Sequence, residues 1–275
     1  MRLASRASIA GDNPAALEFA SEGRELAEEL AWDEGLCDSL SLLGLVRVYL
    51  GDQDGLEDIN RGIAIGREAG AYGPLLRAYN TKAVAYQILG DVNAGYEARR
   101  EGAQLAEQID SQLQMRWFEG VMIDHHYRRG DWDDAQRMAD EFLGEVEAGS
   151  PHYNAFQDWI VRALMRLARG DDAGAVRDAE RALELGRALA DPQAVYFVLP
   201  ACAYVFARAG EPGRATPPAR ELIDALERGV DVQFAVINFP LFAAVARDLG
   251  LLDEVVDALA GSPETPWIEV VRRYG

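Results

Sequence analysis

The residues with the most obvious chemical potential are the neighbouring histidines His125 and His126. On a helix, adjacent side chains point about 100° apart, so the pair cannot share a metal ion as ligands at i and i+4 do. A core or edge position suits each of them better. The only lysine, Lys82, stands in Asn80-Thr81-Lys82-Ala83 and makes no phosphate loop, and no G-x-G-x-x-G, H-E-x-x-H or calcium loop occurs elsewhere. Cys37 and Cys202 match no metal spacing and are too few for a disulfide framework, so both read as reduced, packed thiols. Nowhere do serine, cysteine and carboxylate assemble into a recognisable nucleophile–base arrangement. The expectation is a chain without catalysis, metal or cofactor.

Composition narrows the partners. The 275 residues carry 27 basic against 46 acidic groups, a net charge of −19, which repels nucleic-acid backbones and anionic lipid. No apolar run approaches the roughly 20 residues of a membrane span, and the N-terminus lacks a signal-peptide pattern. A cytoplasmic protein with a protein, peptide or small-molecule partner is the reading; monomer and homodimer stay open.

Any site must be positioned by a repeat that dominates the chain. Turn glycines recur at Gly11, Gly51, Gly90, Gly130, Gly170, Gly210 and Gly250, at intervals of 39 or 40 residues, and all but the last precede Asp or Glu. Seven residues before them lie Ala4, Gly44, Ala83, Ile123, Ala163, Ala203 and Ala243. Five residues after them lie Ala16, Leu56, Gly95, Ala135, Ala175, Ala215 and Val255. Small residues at fixed offsets on both sides of a turn are what two antiparallel helices need where their backbones approach closely. Between turns the sequence is rich in Ala, Leu, Glu and Arg with a 3.6-residue apolar period, as in Ala175, Ala179, Ala182, Leu183 and Leu189. Each Gly suits a left-handed helix end and the following Asp an N-cap. The chain reads as all-α, fifteen helices in one solenoid over 1–275, an α-α superhelix of about seven helical hairpins.

The turns Leu89-Gly90-Asp91 and Gly130-Asp131-Trp132-Asp133-Asp134-Ala135, with the helix around Glu180-Arg181-Ala182-Leu183-Glu184-Leu185, resemble tetratricopeptide (TPR) repeats over essentially the whole chain. A period of 40 exceeds the standard 34 by about six residues, or roughly 9 Å of helix. Such long repeats are similar to the C-terminal regions of bacterial signalling proteins, namely class III adenylate or guanylate cyclases with an ATPase module and LuxR/MalT-type regulators. The resemblance implies a concave groove lined by the first helix of each hairpin, and it transfers the groove to Asp38, Ser41, Tyr49, Arg77, Asn80, Gln87, Trp117, Asp124, Tyr127 and Arg128, then to Gln157, Phe197, Tyr204, Arg208, Arg247 and Asp248. Of these, Arg77, Asn80, Trp117, Asp124, Tyr127, Arg128, Tyr204 and Arg208 are the candidate binding residues, since aromatic and Arg side chains dominate recognition surfaces. Trp117, Tyr127 and Tyr204 could equally pad the packing between hairpins. Alanine at Asn80 and Arg128 should abolish binding and change stability by no more than about 1 kcal/mol, as at exposed sites.

Pro200 and Pro240 both stand ten residues before a turn Gly, which predicts equivalent mid-helix kinks and a freed carbonyl in the groove. Pro217 and Pro218 predict a helix that starts late, near Thr216. Both ends read as cut from a longer protein, and Trp267, Ile268 and Val271 as apolar surface left open at an uncapped end. The function that follows is a non-catalytic, partner- or ligand-binding regulatory module of a bacterial signalling protein. A self-associating scaffold and a small-molecule sensor of the LuxR/MalT type are the alternatives.

Overall fold

The computed structural model describes residues 2–230 and 233–274, with Tyr274 by its backbone alone. Among them are the fifteen α-helices the repeat predicts and no strand. The chain divides into two compact units, 1–118 and 119–275. The first holds α1 (Arg2–Ile9), α2 (Asn13–Glu29), α3 (Asp33–Tyr49), α4 (Gly55–Glu68), α5 (Tyr72–Ile88) and α6 (Val92–Gln108). The boundary falls within α7 (Gln112–Arg129). The second unit continues with α8 (Trp132–Glu147), α9 (Ala155–Ala168), α10 (Asp172–Leu189), α11 (Pro192–Arg208), α12 (Pro212–Glu227), α13 (Phe239–Asp248), α14 (Leu252–Ala258) and α15 (Pro266–Tyr274).

Each unit is a solenoid-like stack of antiparallel hairpins. In the first, α3 packs on α4, α5 on α6, and the first helices α3 and α5 pack on each other. In the second, α9 packs on α10 and α11 on α12, while α9, α11 and α13 form a continuous layer. Small residues explain the close approach: Ala4, Ala16, Ala83, Ala135, Ala163, Ala175, Ala203 and Ala215 are all completely buried. The second hairpin meets the same need one residue out of register. There Gly55 rather than Leu56 faces Gly44, and a Cβ on either glycine would lie 2.2 Å from the other's carbonyl oxygen.

All seven turn glycines have φ between +70° and +89°, the region that glycine enters at little cost. The next N–H reaches back across the helix end, as in Asp12 N–H to the Ala7 carbonyl and Asp171 N–H to the Arg166 carbonyl, both 2.9 Å. The N-cap expectation holds for three of the acids: Asp12, Asp91 and Asp171 accept from Ala15, Ala94 and Gly174. Asp52 instead takes Arg47 Nε at 2.8 Å, and Asp131 lies 3.4 Å from His126 Nδ1.

A second set of left-handed residues separates one hairpin from the next, at Ala31, Gly70, Asp110, Gly149, Ala190 and Gly229. Half of these are not glycine, so the second 40-residue punctuation is invisible to a search for glycines. Prolines depart from expectation in two places. The helix with Pro217 and Pro218 starts at Pro212, not near Thr216. Its first turn is held by burial of Ala215 and by Arg214, which stacks on Phe206 at 4.6 Å and pairs with Glu180 and Glu211, and this packing outweighs the lost backbone hydrogen bonds. Pro200 lies inside a continuous α11, whereas Pro240 opens α13 behind a 3-10 turn, Val236–Asn238, so the two prolines are not equivalent. At the C-terminal end α15 packs on α13 and buries Ile268 and Val271 to 2% and 0% exposure, which removes the open apolar end the sequence suggested.

Candidate functional site

In the first unit α5 carries Arg77 and, one turn on, Asn80. Arg77 forks onto Asp38 of α3, with Nε to Oδ1 at 3.1 Å and Nη2 to Oδ2 at 2.7 Å. Its side chain is 60% exposed, so this bond lies at the surface. Asn80 is half-buried and its Oδ1, shielded from solvent, accepts no hydrogen bond among the described residues. Trp117, also half-buried, lies on α7. Three groove positions are core instead: Ser41 Oγ donates to the Cys37 carbonyl at 2.7 Å, Tyr49 is buried, and Gln87 accepts from Arg99 Nη2 at 3.2 Å.

The second unit gathers Asp124, Tyr127, Arg128 and Tyr204. Asp124 is completely buried and accepts Arg128 Nε at 2.8 and 3.0 Å. The rest of the Arg128 guanidinium is spent on the 3-10 turn: Nη1 donates to the Ile237 carbonyl at 3.3 Å and Nη2 to Asn238 Oδ1 at 3.1 Å. Asn238 passes the chain on, its Nδ2 donating to the Phe197 carbonyl of α11 at 3.0 Å. Arg128 is therefore a structural tie between segments 109 and 110 residues apart, and with its side chain 13% exposed it is not the exposed position on which the expected limit of about 1 kcal/mol rested. The carbonyl that Pro200 leaves without its helical donor is that of Tyr196, one residue before the Phe197 carbonyl that Asn238 takes.

Beside this knot Tyr127 stacks on Trp132, with ring centroids 5.8 Å apart, and Trp132 Nε1 donates to the Tyr127 carbonyl at 3.1 Å. Burial raises the Tyr127 hydroxyl pKa, Asp124 and Tyr204 raise it further, and Arg128 opposes them. Two turns from the knot the surface reopens. Arg208 lies over the Tyr204 ring at 5.4 Å and pairs with Asp248 of α13 at 3.0 Å, with 41% of its side chain exposed.

One cluster escaped the sequence reading. Arg162 of α9 forks onto Asp178 of α10 at 2.8 and 3.0 Å, reaches Asp140 at 3.1 Å and lies against the Trp159 ring at 4.5 Å. Arg166 adds a second contact to Asp178 at 2.9 Å. The available signal was symmetry, because Arg162 and Asp178 stand eight residues to either side of Gly170 and so face each other across the hairpin.

Little here favours covalent chemistry. Burial, then Asp38, pushes the Cys37 thiol up to about 11, and burial pushes Cys202 higher still, so both stay protonated near neutrality. His125 is completely buried and His126 half-buried, which fits the core and edge roles expected. Among the described residues no group of three or more His, Cys, Asp or Glu could hold a metal ion, and no helix is long and apolar enough to cross a membrane. Comparison with protein-family models and with curated proteins returns no match.

Proposed function

We propose that this chain is a non-catalytic binding module, the TPR-like interaction or sensor region of a bacterial signalling protein, that takes a protein or peptide partner. The observation that carries the reading is the surface at Tyr204, Arg208 and Asp248. It combines an aromatic face, a half-exposed guanidinium and a carboxylate on two adjacent first helices. Aromatic and Arg groups of this kind anchor interfaces, because they bury large areas at modest entropic cost and fix orientation. Asn80 in the first unit supports it separately, since its sheltered Oδ1 suits a donor such as a peptide N–H.

The test is to probe a peptide array with the purified chain and measure bound peptides by fluorescence anisotropy against Tyr204→Ala and Arg208→Ala. Both substitutions are predicted to weaken binding about tenfold or more, and Arg208→Ala, at an exposed position, does so with stability changed by no more than about 1 kcal/mol. Retention of the full peptide set at wild-type affinity would remove the site. Turnover of nucleotide by the isolated chain would overturn the non-catalytic assignment.

A further inference from the structure

A separate site lies wholly within the first unit, between two second helices. Gly62 and Gly66 seat α4 close on its hairpin partner α3, since a Cβ on the first would lie 2.9 Å from the Cys37 carbonyl oxygen and one on the second 2.7 Å from its Sγ. Between α4 and α6 a cleft of about 420 Å³ remains, with α5 as its floor. That volume lies in the range of small-ligand sites. Leu75 of α5, which is buried, and Leu105 of α6 give the cleft an apolar wall, and the Tyr72 ring, 50% exposed, extends it. The two charged residues that line it are Arg67 of α4 and Glu101 of α6.

The spacing of these charges sets the site apart. Arg67 stands 23 residues before a turn glycine and Glu101 eleven after it, and Arg187 and Glu221 hold the same places in the second unit. There Arg187 donates directly to Glu221, and the residue eleven before the glycine is the buried Leu199. In the first unit that residue is Tyr79, whose hydroxyl accepts from Arg67 Nη2 at 2.5 Å, while Glu101 stands off from the guanidinium at 3.7 Å, beyond a hydrogen bond. Burial keeps the Tyr79 hydroxyl protonated, an effect that Arg67 opposes and Glu101 strengthens. A guanidinium and a carboxylate that do not close on each other, beside an apolar wall, are complementary to a molecule that carries a carboxylate, an ammonium and an apolar group on one carbon. Their side chains are 64% and 45% exposed, so they can part to admit it. We infer that this cleft binds a free α-amino acid with an apolar side chain, its carboxylate on Arg67, its ammonium on Glu101 and its side chain against Leu75, Leu105 and Tyr72. Such a ligand has no net charge, so the −19 of the chain does not repel it as it would a dicarboxylate or a phosphate.

The experiment is calorimetric titration of the full chain with L-leucine and L-phenylalanine, each beside its carboxamide and its N-acetyl derivative, which lack one charge apiece. At least one of the two amino acids should saturate the protein, and its two derivatives should bind about tenfold or more weakly. Arg67→Gln should erase the preference for the amino acid over its carboxamide, and Glu101→Gln the preference over the N-acetyl derivative. Both positions are exposed, and matching thermal melts check that the variants fold. No saturation by either amino acid at about 10 mM, roughly the weak end for a ligand of this size, would overturn the inference. So would a derivative that binds as tightly as its parent, or a preference that survives both substitutions. Peptide binding at Tyr204 and Arg208 stands apart from either result, because that surface belongs to the second unit.

Discussion

Arg77 and Arg128 occupy first helices of their hairpins, both fork onto an aspartate, and both were candidates for the same groove. Their surroundings separate them. The Arg77–Asp38 pair is 60% and 24% exposed, the Arg128–Asp124 pair 13% and 0%. In water an ion pair gives back most of its attraction as desolvation and side-chain entropy, whereas a buried pair that loses one partner leaves an uncompensated charge in a poor solvent. One arginine thus remains available at the surface and the other belongs to the frame. An arginine at a groove position marks a ligand site only when its partners leave it accessible.

The largest effect should come from Arg128→Ala. It takes from the buried Asp124 both bonds from Arg128 Nε and from the Ile237 carbonyl and Asn238 theirs, so urea unfolding should show a loss of about 3–5 kcal/mol. A loss below 1 kcal/mol would erase the distinction between the two arginines. Asn238→Ala removes the next link, the bond to the Phe197 carbonyl, and should cost about 1–3 kcal/mol with faster amide exchange across Val236–Asn238.

Cys37 reports on the other side of the comparison, because it sits next to Asp38 and feels both members of the exposed pair. Its native pKa is raised to about 11 from an ordinary 9.0, so above pH 9 the unfolded thiol loses a proton that the folded one keeps. The folded state then binds more protons, and stability falls as pH rises from about 9 to 11. The loss is about 3 kcal/mol at most. Cys37→Ala should flatten that part of the stability–pH curve, and an unchanged slope would place its origin elsewhere. Arg77→Ala should have the smallest effect, below about 1 kcal/mol and less again at 1 M salt.

Much of the architecture was legible because it is written in turn chemistry and helical period. Glycine before an acid at a 40-residue interval can hardly mean anything but a repeated helix end, and the alanines at fixed offsets give the hairpin. Side-chain fate was harder to read. A position two residues before a turn tells that a residue lies near its helix end, but not whether a segment more than 100 residues later reaches it, as the 3-10 turn reaches Arg128. Pro240 held the missing clue, since a proline that begins a helix instead of bending it makes room for a short irregular segment before it. Likewise Pro217 and Pro218 looked like breakers, and only the contacts of Arg214 and Ala215 show why the helix survives them. Ile268 and Val271 looked open by local pattern and are covered by α13.

A pair of double-mutant cycles under one set of conditions decides the matter: Asp124→Ala with Arg128→Ala, and Asp38→Ala with Arg77→Ala, each measured by urea unfolding. The buried pair should show a coupling of several kcal/mol and the exposed pair about 1 kcal/mol or less. Equal couplings would contradict the division between a structural arginine in the second unit and an available one in the first.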